Sequence, residues 1–315
     1  MQESNPLSTF GPDINQYTQS VDFGRIKKNS DFVYLRASGS GSGKFVIDRN
    51  FLEYAKNCRT FNILCGAYHY AKPSEDVSTA ASQCDDFIET LYKGFGQNDC
   101  GDLYPALDVE EPLDKSLTTT QIVNWIEAFS NRFFKKTKRR LMLYTGYFFI
   151  QMYDNFNVPG RGYPLKNMPL WIALYPDIPG NPKTPPNIGG WTNWMIWQYT
   201  QNGILQGIGN PVDLNWGPID IIDLKPPANV NCFNARISQN KIYTSWCLVP
   251  GDNIWGYNIF VNSNYAGTVP EKARSYVINK SNFYLPPGKP IVVTIEAFDK
   301  FGGVSLKRSA YTLDN

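Results

Sequence analysis

The chain has 315 residues, 42% of them apolar, enough for about two packed cores on a scale of roughly 150 residues per domain, which excludes a disordered or fibrous protein. Thirty Lys and Arg against 28 Asp and Glu leave a formal charge of +2, without the single-sign excess of a nucleic-acid binder or an acidic tail. The surplus is aromatic: 8 Trp, 19 Tyr and 19 Phe are more rings than cores usually need, and exposed rings stack on flat-faced ligands such as sugars.

The first residues, Met-Gln-Glu-Ser-Asn-Pro, have neither a basic n-region nor an apolar h-region, and no later run approaches the ~18 apolar residues of a membrane span. The expectation is a soluble chain with no signal peptide and no membrane insertion. Nearly unbroken apolar or aromatic runs at Phe32–Ala37, Ile63–Tyr70, Leu103–Val109, Leu141–Thr145, Leu170–Leu174 and Met195–Tyr199 predict buried strands. Between them, a helix is predicted after Ser74, with Ala80, Cys84, Phe87 and Leu91 at helical spacing. A second follows the N-cap candidates Thr118–Thr120 and places Ile122, Trp125, Ile126, Phe129 and Phe133 on one face. Lys135, Lys136, Lys138, Arg139 and Arg140 close it, where cations favour the macrodipole, and read as a solvated helix end. The stretch Pro176–Pro186 reads as a long loop.

Alternating strands and helices predict an α/β fold, a (β/α) barrel over residues 1–224. At Asp223–Asn229 the Pro226-Pro227 pair can continue neither a helix nor a central strand and marks a linker. Beyond it, short alternating segments at Lys241–Cys247, Tyr257–Val261, Arg274–Asn279 and Ile291–Phe298 predict an all-β sandwich over 225–315. The six cysteines, at 58, 65, 84, 100, 232 and 247, contain no C-x-x-C pair or zinc-like grouping, so no metal is expected. Most read as free, buried thiols. A Cys232–Cys247 pair across the β unit stays open, since spacing does not fix a Cα separation.

Leu107-Asp108-Val109-Glu110-Glu111-Pro112 ends an apolar strand in two acids, and a period of two puts Asp108 and Glu110 on one face. Like charges held close cannot both ionise freely, so one pKa rises, as a general acid at neutral pH requires. Asp13, in Gly11-Pro12-Asp13-Ile14-Asn15, and Asp213, in Pro211-Val212-Asp213-Leu214-Asn215, have similar settings near the first and last strand ends. In a parallel barrel those ends meet at one mouth, which also receives Tyr68, His69, Tyr70, Tyr144, Trp171, Tyr175, Gln198 and Tyr199. An acidic mouth ringed by aromatics describes a carbohydrate groove.

Residues 11 to about 220 resemble the glycoside hydrolase family 25 lysozymes, the Chalaropsis-type muramidases. The resemblance rests on the segments around Asp13, Asp108-Val109-Glu110 and Asp213, together with Phe32–Ser38, Gly66–Tyr70, Leu143–Thr145, Leu170–Ala173 and Ile196–Thr200. It implies a modified (β/α) barrel, no cofactor, and hydrolysis of the β-1,4 bond between N-acetylmuramic acid and N-acetylglucosamine in bacterial peptidoglycan glycan strands. Glu110 then falls on the general acid, Asp108 on its partner, and Asp13 and Asp213 on the remaining acids; Tyr68, Tyr144, Trp171, Gln198 and Arg36 fall on substrate-binding positions. Whether Asp108 or the substrate's acetamido group attacks the anomeric carbon stays open.

Arg36 stands where the family more often has Lys, and Ser38-Gly39-Ser40-Gly41-Ser42-Gly43-Lys44 replaces its usual Thr/Ser-Glu-Gly, which bears on substrate preference. Pro12 before Asp13 is also atypical and is expected to stiffen the strand end. The Gly/Ser run lacks the G-x-x-x-x-G-K-[ST] spacing of a P-loop. His69, the only histidine, reads as a hydrogen-bonded core or groove residue.

The segment from 227 to 315 resembles a fibronectin type III domain, opened by Pro226-Pro227, with Trp246 at the strand B core position, Tyr257 beginning strand C, and Leu285-Pro286-Pro287-Gly288 before the strand at Ile291. Its tyrosine-corner position holds Ile291, so that hydrogen bond would be missing. The expected role is a spacer, with virion or cell-wall docking as the alternative and Trp255, Tyr265 and Tyr284 as its contacts. A lysozyme without a signal peptide fits a phage endolysin or a virion component; an exported bacterial enzyme that has lost its leader is a further reading. From another class, a non-catalytic wall-binding or virion structural protein on the same fold is the alternative, against which four intact carboxylates argue.

Overall fold

Strands β1 (Phe10–Ile14), β2 (Phe32–Gly39), β3 (Val46–Ile47), β4 (Leu64–Tyr70), β5 (Ala106–Asp108), β6 (Met142–Gly146), β7 (Leu170–Ala173), β8 (Ile196–Gly203) and β9 (Val212–Trp216) form one sheet. Their order is β1-β9-β8-β7-β6-β5-β4-β2-β3, and a parallel β1–β2 pairing closes the first eight into a barrel. The computed structural model describes residues 1–2, 7–175, 184–209, 211–251, 253–301 and 303–314, so the predicted Pro176–Pro186 loop lies largely outside the described residues. The chain divides into Met1–Leu224 and Lys225–Asn315.

Period-two alternation explains the barrel. On β2, Val33, Leu35 and Ala37 join the cluster that packs against the helices. The intervening Phe32 and Tyr34 turn to the lumen, where Tyr34 meets Trp171 of β7 at 4.7 Å and hydrogen-bonds the Tyr104 carbonyl. The outer set repeats with Ala67 on β4, Leu107 on β5, Leu143 on β6, Ile172 on β7, Trp197 on β8 and Leu214 on β9. Each Leu, Ile or Val side chain among them contributes about 1.5–3 kcal/mol on burial. The same parity sends Tyr68, Asp108, Tyr144, Trp171, Gln198, Asp13 and Asp213 inward to a shared cavity. The β1–β2 ladder begins at Asp13, one residue past Pro12, which has no N–H to contribute.

Two strands depart from the all-parallel expectation: the short β3 pairs antiparallel with β2 outside the barrel, and within it β9 runs antiparallel to both β1 and β8. Asp213 therefore lies near the start of its strand, and the reversal brings that start to the mouth formed by the other strands' C-terminal ends.

The helices are α1 (Phe23–Asn29), α2 (Phe51–Thr60), α3 (Ser78–Phe95), α4 (Thr119–Thr137) and α5 (Tyr147–Met152). Helix α4 starts from a capping box in which Thr118 Oγ1 accepts from the Gln121 amide and Gln121 Oε1 accepts from the Thr118 amide. Its Ile122, Trp125, Ile126, Phe129 and Phe133 are buried. Helix α3 begins at Ser78, later than the pattern after Ser74 predicts, because Asp76 accepts from the Ser78 amide and holds the preceding residues in a turn. The cationic end of α4 is only partly solvated: Arg139 is 3% exposed and donates to the carbonyls of Gly101 and Leu103, both at 3.0 Å.

In the second unit, β10 (Asn234–Ser238), β11 (Lys241–Ser245) and β14 (Ser275–Asn279) form one antiparallel sheet. The other has the order β13 (Asn264–Pro270), β12 (Ile254–Val261), β15 (Ile291–Asp299) and β16 (Ser309–Leu313). Tyr257, Ile259, Val261, Ile291, Val293, Ile295 and Ala297 form its core with Trp246, whose ring lies 5.4 Å from that of Tyr257. Cys232 and Cys247 are disulfide-bonded with Cα atoms 5.4 Å apart, which settles the pairing left open by spacing; Cys58, Cys65, Cys84 and Cys100 are free and buried. Trp255, Tyr265 and Tyr284 are exposed, and Ile291 is buried in the core.

Candidate active site

The mouth of the barrel holds a cavity of about 170 Å³. Asp13, Asp108, Glu110 and Asp213 line it, and so do Tyr68, Tyr144, Trp171, Gln198 and Arg36, so the structure brings all nine sequence-predicted residues to one place. Asn15 and Tyr70 complete the lining. Residues near in sequence do not all follow: Tyr199 turns outward and stacks on Trp216 at 5.4 Å.

His69 also faces away from the cavity. It is fully buried, its ring nitrogens pair with Ser38 Oγ at 2.9 Å and Gln83 Oε1 at 3.2 Å, and it stacks on Phe45 and Phe129. Burial pulls its pKa down to about 4, so it is a neutral core side chain, and both ring nitrogens are engaged by Ser38 and Gln83, away from the acids.

Asp108 ends β5 and Glu110 follows it with the same parity. The backbone between them is pinned, since the Val109 amide donates to the Tyr144 carbonyl and Thr145 Oγ1 donates to the Val109 carbonyl. Asp108 is 4% exposed and its Oδ1 has no hydrogen-bond partner among the described residues. Burial first, and then the neighbouring Glu110, push its pKa well above the carboxylate range. Burial also raises Glu110, with Asp13 and Glu111 adding to the effect and a hydrogen bond to Asp108 opposing it.

Asp13 and Asp213 are register partners across β1 and β9, and their side chains hydrogen-bond. Burial raises both; Asp213, with the charge of Asp13 beside it, is pushed up to about 9. Asp13 Oδ2 accepts from Gln198 Nε2 at 2.8 Å and Asn215 Nδ2 at 2.9 Å. Asn215, the residue sequence reasoning left without a role, was legible only as a member of the Asp213-Leu214-Asn215 motif.

The aromatics form a packed floor rather than free stacking platforms. Trp171 is 1% exposed, edge-on to Tyr144 at 4.9 Å and to Tyr68 at 6.0 Å. Arg36 is held by the buried Asp48 at 2.9 Å and lies 5.1 Å over the Tyr17 ring, placing one cation among the acids. The atypical Gly/Ser loop wraps Tyr70: the Ser40 amide donates to the Tyr70 carbonyl, and a Cβ on Gly41 would lie 2.7 Å from the Tyr70 ring.

A closed barrel whose mouth gathers four carboxyls with raised pKa values, one pair continuing a single strand, is the site of a glycoside hydrolase. The chain belongs to glycosyl hydrolases family 25, whose model matches residues 12–208, and it is a glycosidase of the muramidase and lysozyme class. It is 31% identical over 219 residues to the N,O-diacetylmuramidase of Chalaropsis sp, covering 67% of this chain and 95% of that one. It is 27% identical over 214 residues to Lysozyme M1 of Streptomyces globisporus, covering 65% of this chain and 66% of that relative. Among solved structures, the Clostridium perfringens spore cortex lytic enzyme SleM superposes with a TM-score of 0.92 at 60% identity over 100% of both chains.

Proposed function

We propose that the chain hydrolyses the β-1,4 bond between N-acetylmuramic acid and N-acetylglucosamine in peptidoglycan, with Glu110 as general acid and Asp108 as its partner. The observation that carries this is the Asp108–Glu110 pair: a buried carboxyl whose Oδ1 has no partner among the described residues, beside a half-buried one whose pKa is raised. Glu110, at the open edge, protonates the leaving glycosidic oxygen and later takes a proton from water. In the reactive form the proton shared by the pair sits on Glu110, and Asp108, then a carboxylate, stabilises the oxocarbenium-like charge, by attack at the anomeric carbon or by orienting the 2-acetamido group. Asp13 and Asp213 complete the acidic wall, and Tyr68, Tyr144 and Arg36 contact sugar.

The substrate we favour is spore cortex peptidoglycan. SleM is described as a spore cortex lytic enzyme, and the match, 60% identical overall, covers the whole of both chains. We place this reading ahead of a phage endolysin or virion component. We further infer that residues 1–224 are the catalytic domain and 225–315 a fibronectin type III-like spacer, supported by the three-strand and four-strand sheets and the Trp246–Tyr257 core contact.

The test is digestion of purified cortex and vegetative peptidoglycan with wild type and Glu110→Gln, followed by borohydride reduction and mass spectrometry. New muramitol ends made by wild type and absent with the variant are expected. Glucosaminitol ends, or equal products from both proteins, would overturn the assignment.

A further inference from the structure

We propose that Trp171 is a positioning residue that, through Asn215, sets the direction of the hydrogen-bond network ending on Asp13, so that Asp13 is presented as the acceptor and Asp213 as the proton-bearing partner. The inference rests on the functional reading above and adds a residue and a role to it.

The network has one member whose polarity is beyond choice. An indole N–H donates and never accepts. Trp171 Nε1 lies 2.8 Å from Asn215 Oδ1, which fixes that amide with its NH2 toward Asp13 Oδ2 at 2.9 Å and the Gly11 carbonyl at 3.2 Å. An oxygen that already receives an N–H is a poor place for a proton. Gln198 Nε2 then meets the same Oδ2 at 2.8 Å as a donor, leaving Oε1 to accept from the hydroxyls of Tyr144 at 2.8 Å and Tyr175 at 2.6 Å. Every arrow runs toward Asp13. Trp171, Asn215 and Gln198 are each 1% exposed or less, so water offers no easy substitute for a lost donor.

Two carboxyls in register across β1 and β9 share a proton, and the two amide donors decide which keeps it. The other ionisable groups facing Asp13 are Asp108 and Glu110 at the end of β5, Tyr68 on β4, Tyr144 on β6 and Tyr175 beyond β7, with Arg36 on β2. None of them donates to Asp13 Oδ2.

The test uses Trp171→Phe, which keeps a ring against Tyr34 and Tyr144 but removes the donor, and Asn215→Asp, which still accepts from Trp171 but cannot donate as a carboxylate. Folding of both is checked by thermal unfolding. Peptidoglycan hydrolysis is followed against pH, and the carboxyl carbons of Asp13 and Asp213 are titrated by NMR without substrate. Losing a hydrogen bond to a charged group predicts a roughly ten- to hundred-fold fall in kcat with KM little changed. The acidic limb of the profile and the Asp13 titration both move to higher pH. A merely structural Trp171 would lower activity equally at all pH values and leave the Asp13 titration in place, which would overturn the proposal. If the wild type releases no muramitol ends, the functional reading fails, and the NMR shift alone still decides the network.

Discussion

Asp13 and Asp213, two hundred positions apart in the chain, face each other across antiparallel strands and hydrogen-bond at the bottom of an acidic cavity. Asp213 keeps its proton up to about pH 9, against an ordinary value near 4. Between those limits the native state binds a proton that the unfolded chain does not, so stability falls as pH rises through the window, with a limiting slope of about 1.4 kcal/mol per pH unit. Asp213→Asn removes that slope. Its melting temperature should exceed that of wild type at pH 7 and converge on it toward pH 4, while hydrolysis falls, the trade expected where a site is built at the expense of stability. Calorimetry across this range checks it; a difference independent of pH would contradict it.

Glu111 supplies a smaller lever on the same chemistry. Its charge is among the influences that raise Glu110. A general acid works while protonated, so kcat/KM should decline on the alkaline side of a raised carboxyl pKa. Glu111→Gln should move that alkaline limb to lower pH by a fraction of a unit and leave the acidic limb unchanged. A pH–rate profile of the two proteins on solubilised peptidoglycan is the measurement.

His69 tests the boundary of the site. Burial holds it neutral down to about pH 4, whereas the unfolded chain takes up the proton near 6.5. Its contribution to stability is therefore fully present above about pH 6.5 and is lost as pH falls toward 4. His69→Gln, which retains a hydrogen-bonding side chain, should cost stability at neutral pH yet lose less between pH 6.5 and 4, with hydrolysis at neutral pH within a few-fold of wild type. A large loss of kcat in a well-folded variant would return His69 to the mechanism.

The placing of Asp108 and Glu110 on one face is visible in the sequence, because period two is a local property of the chain; the runs on β2 and β4 are nearly unbroken, and the barrel is what separates Val33, Leu35 and Ala37 from Tyr34. Strand direction is a different matter. Nothing in Val212–Trp216 distinguishes a parallel from an antiparallel strand, and Asp213 reaches the mouth as a strand start, not a strand end. The amide relay was hidden for the same reason: Trp171, Asn215 and Gln198 come from β7, β9 and β8, and only closure of the barrel places the indole beside the amide. His69 and Tyr199 read as mouth residues because their strands end there, and parity turns both outward.

In the all-β unit, the Cys232–Cys247 bridge closes a loop with a sequence separation of 15. Loop-closure entropy assigns such a bridge about 3 kcal/mol at 25 °C. Cys232→Ser with Cys247→Ser should lower the stability of that unit by about this amount and leave wall hydrolysis by the barrel unchanged. Differential scanning calorimetry of the full chain, with and without reductant, should show the effect confined to one transition.

Gly41 links the atypical Gly/Ser loop to substrate. A methyl group there would lie 2.7 Å from Cε1 and 3.2 Å from Cδ1 of Tyr70, so the ring must shift. Tyr70 lines the cavity beside Glu110 and carries the carbonyl that anchors Ser40. Gly41→Ala therefore moves a cavity wall without touching any of the four acids. The expected result is a KM raised several-fold with kcat within about two-fold, because the displaced ring alters binding in ground and transition states alike. An equal fall in kcat at saturating substrate would instead mean that Tyr70 is required where charge develops, and would draw the loop into the catalytic step.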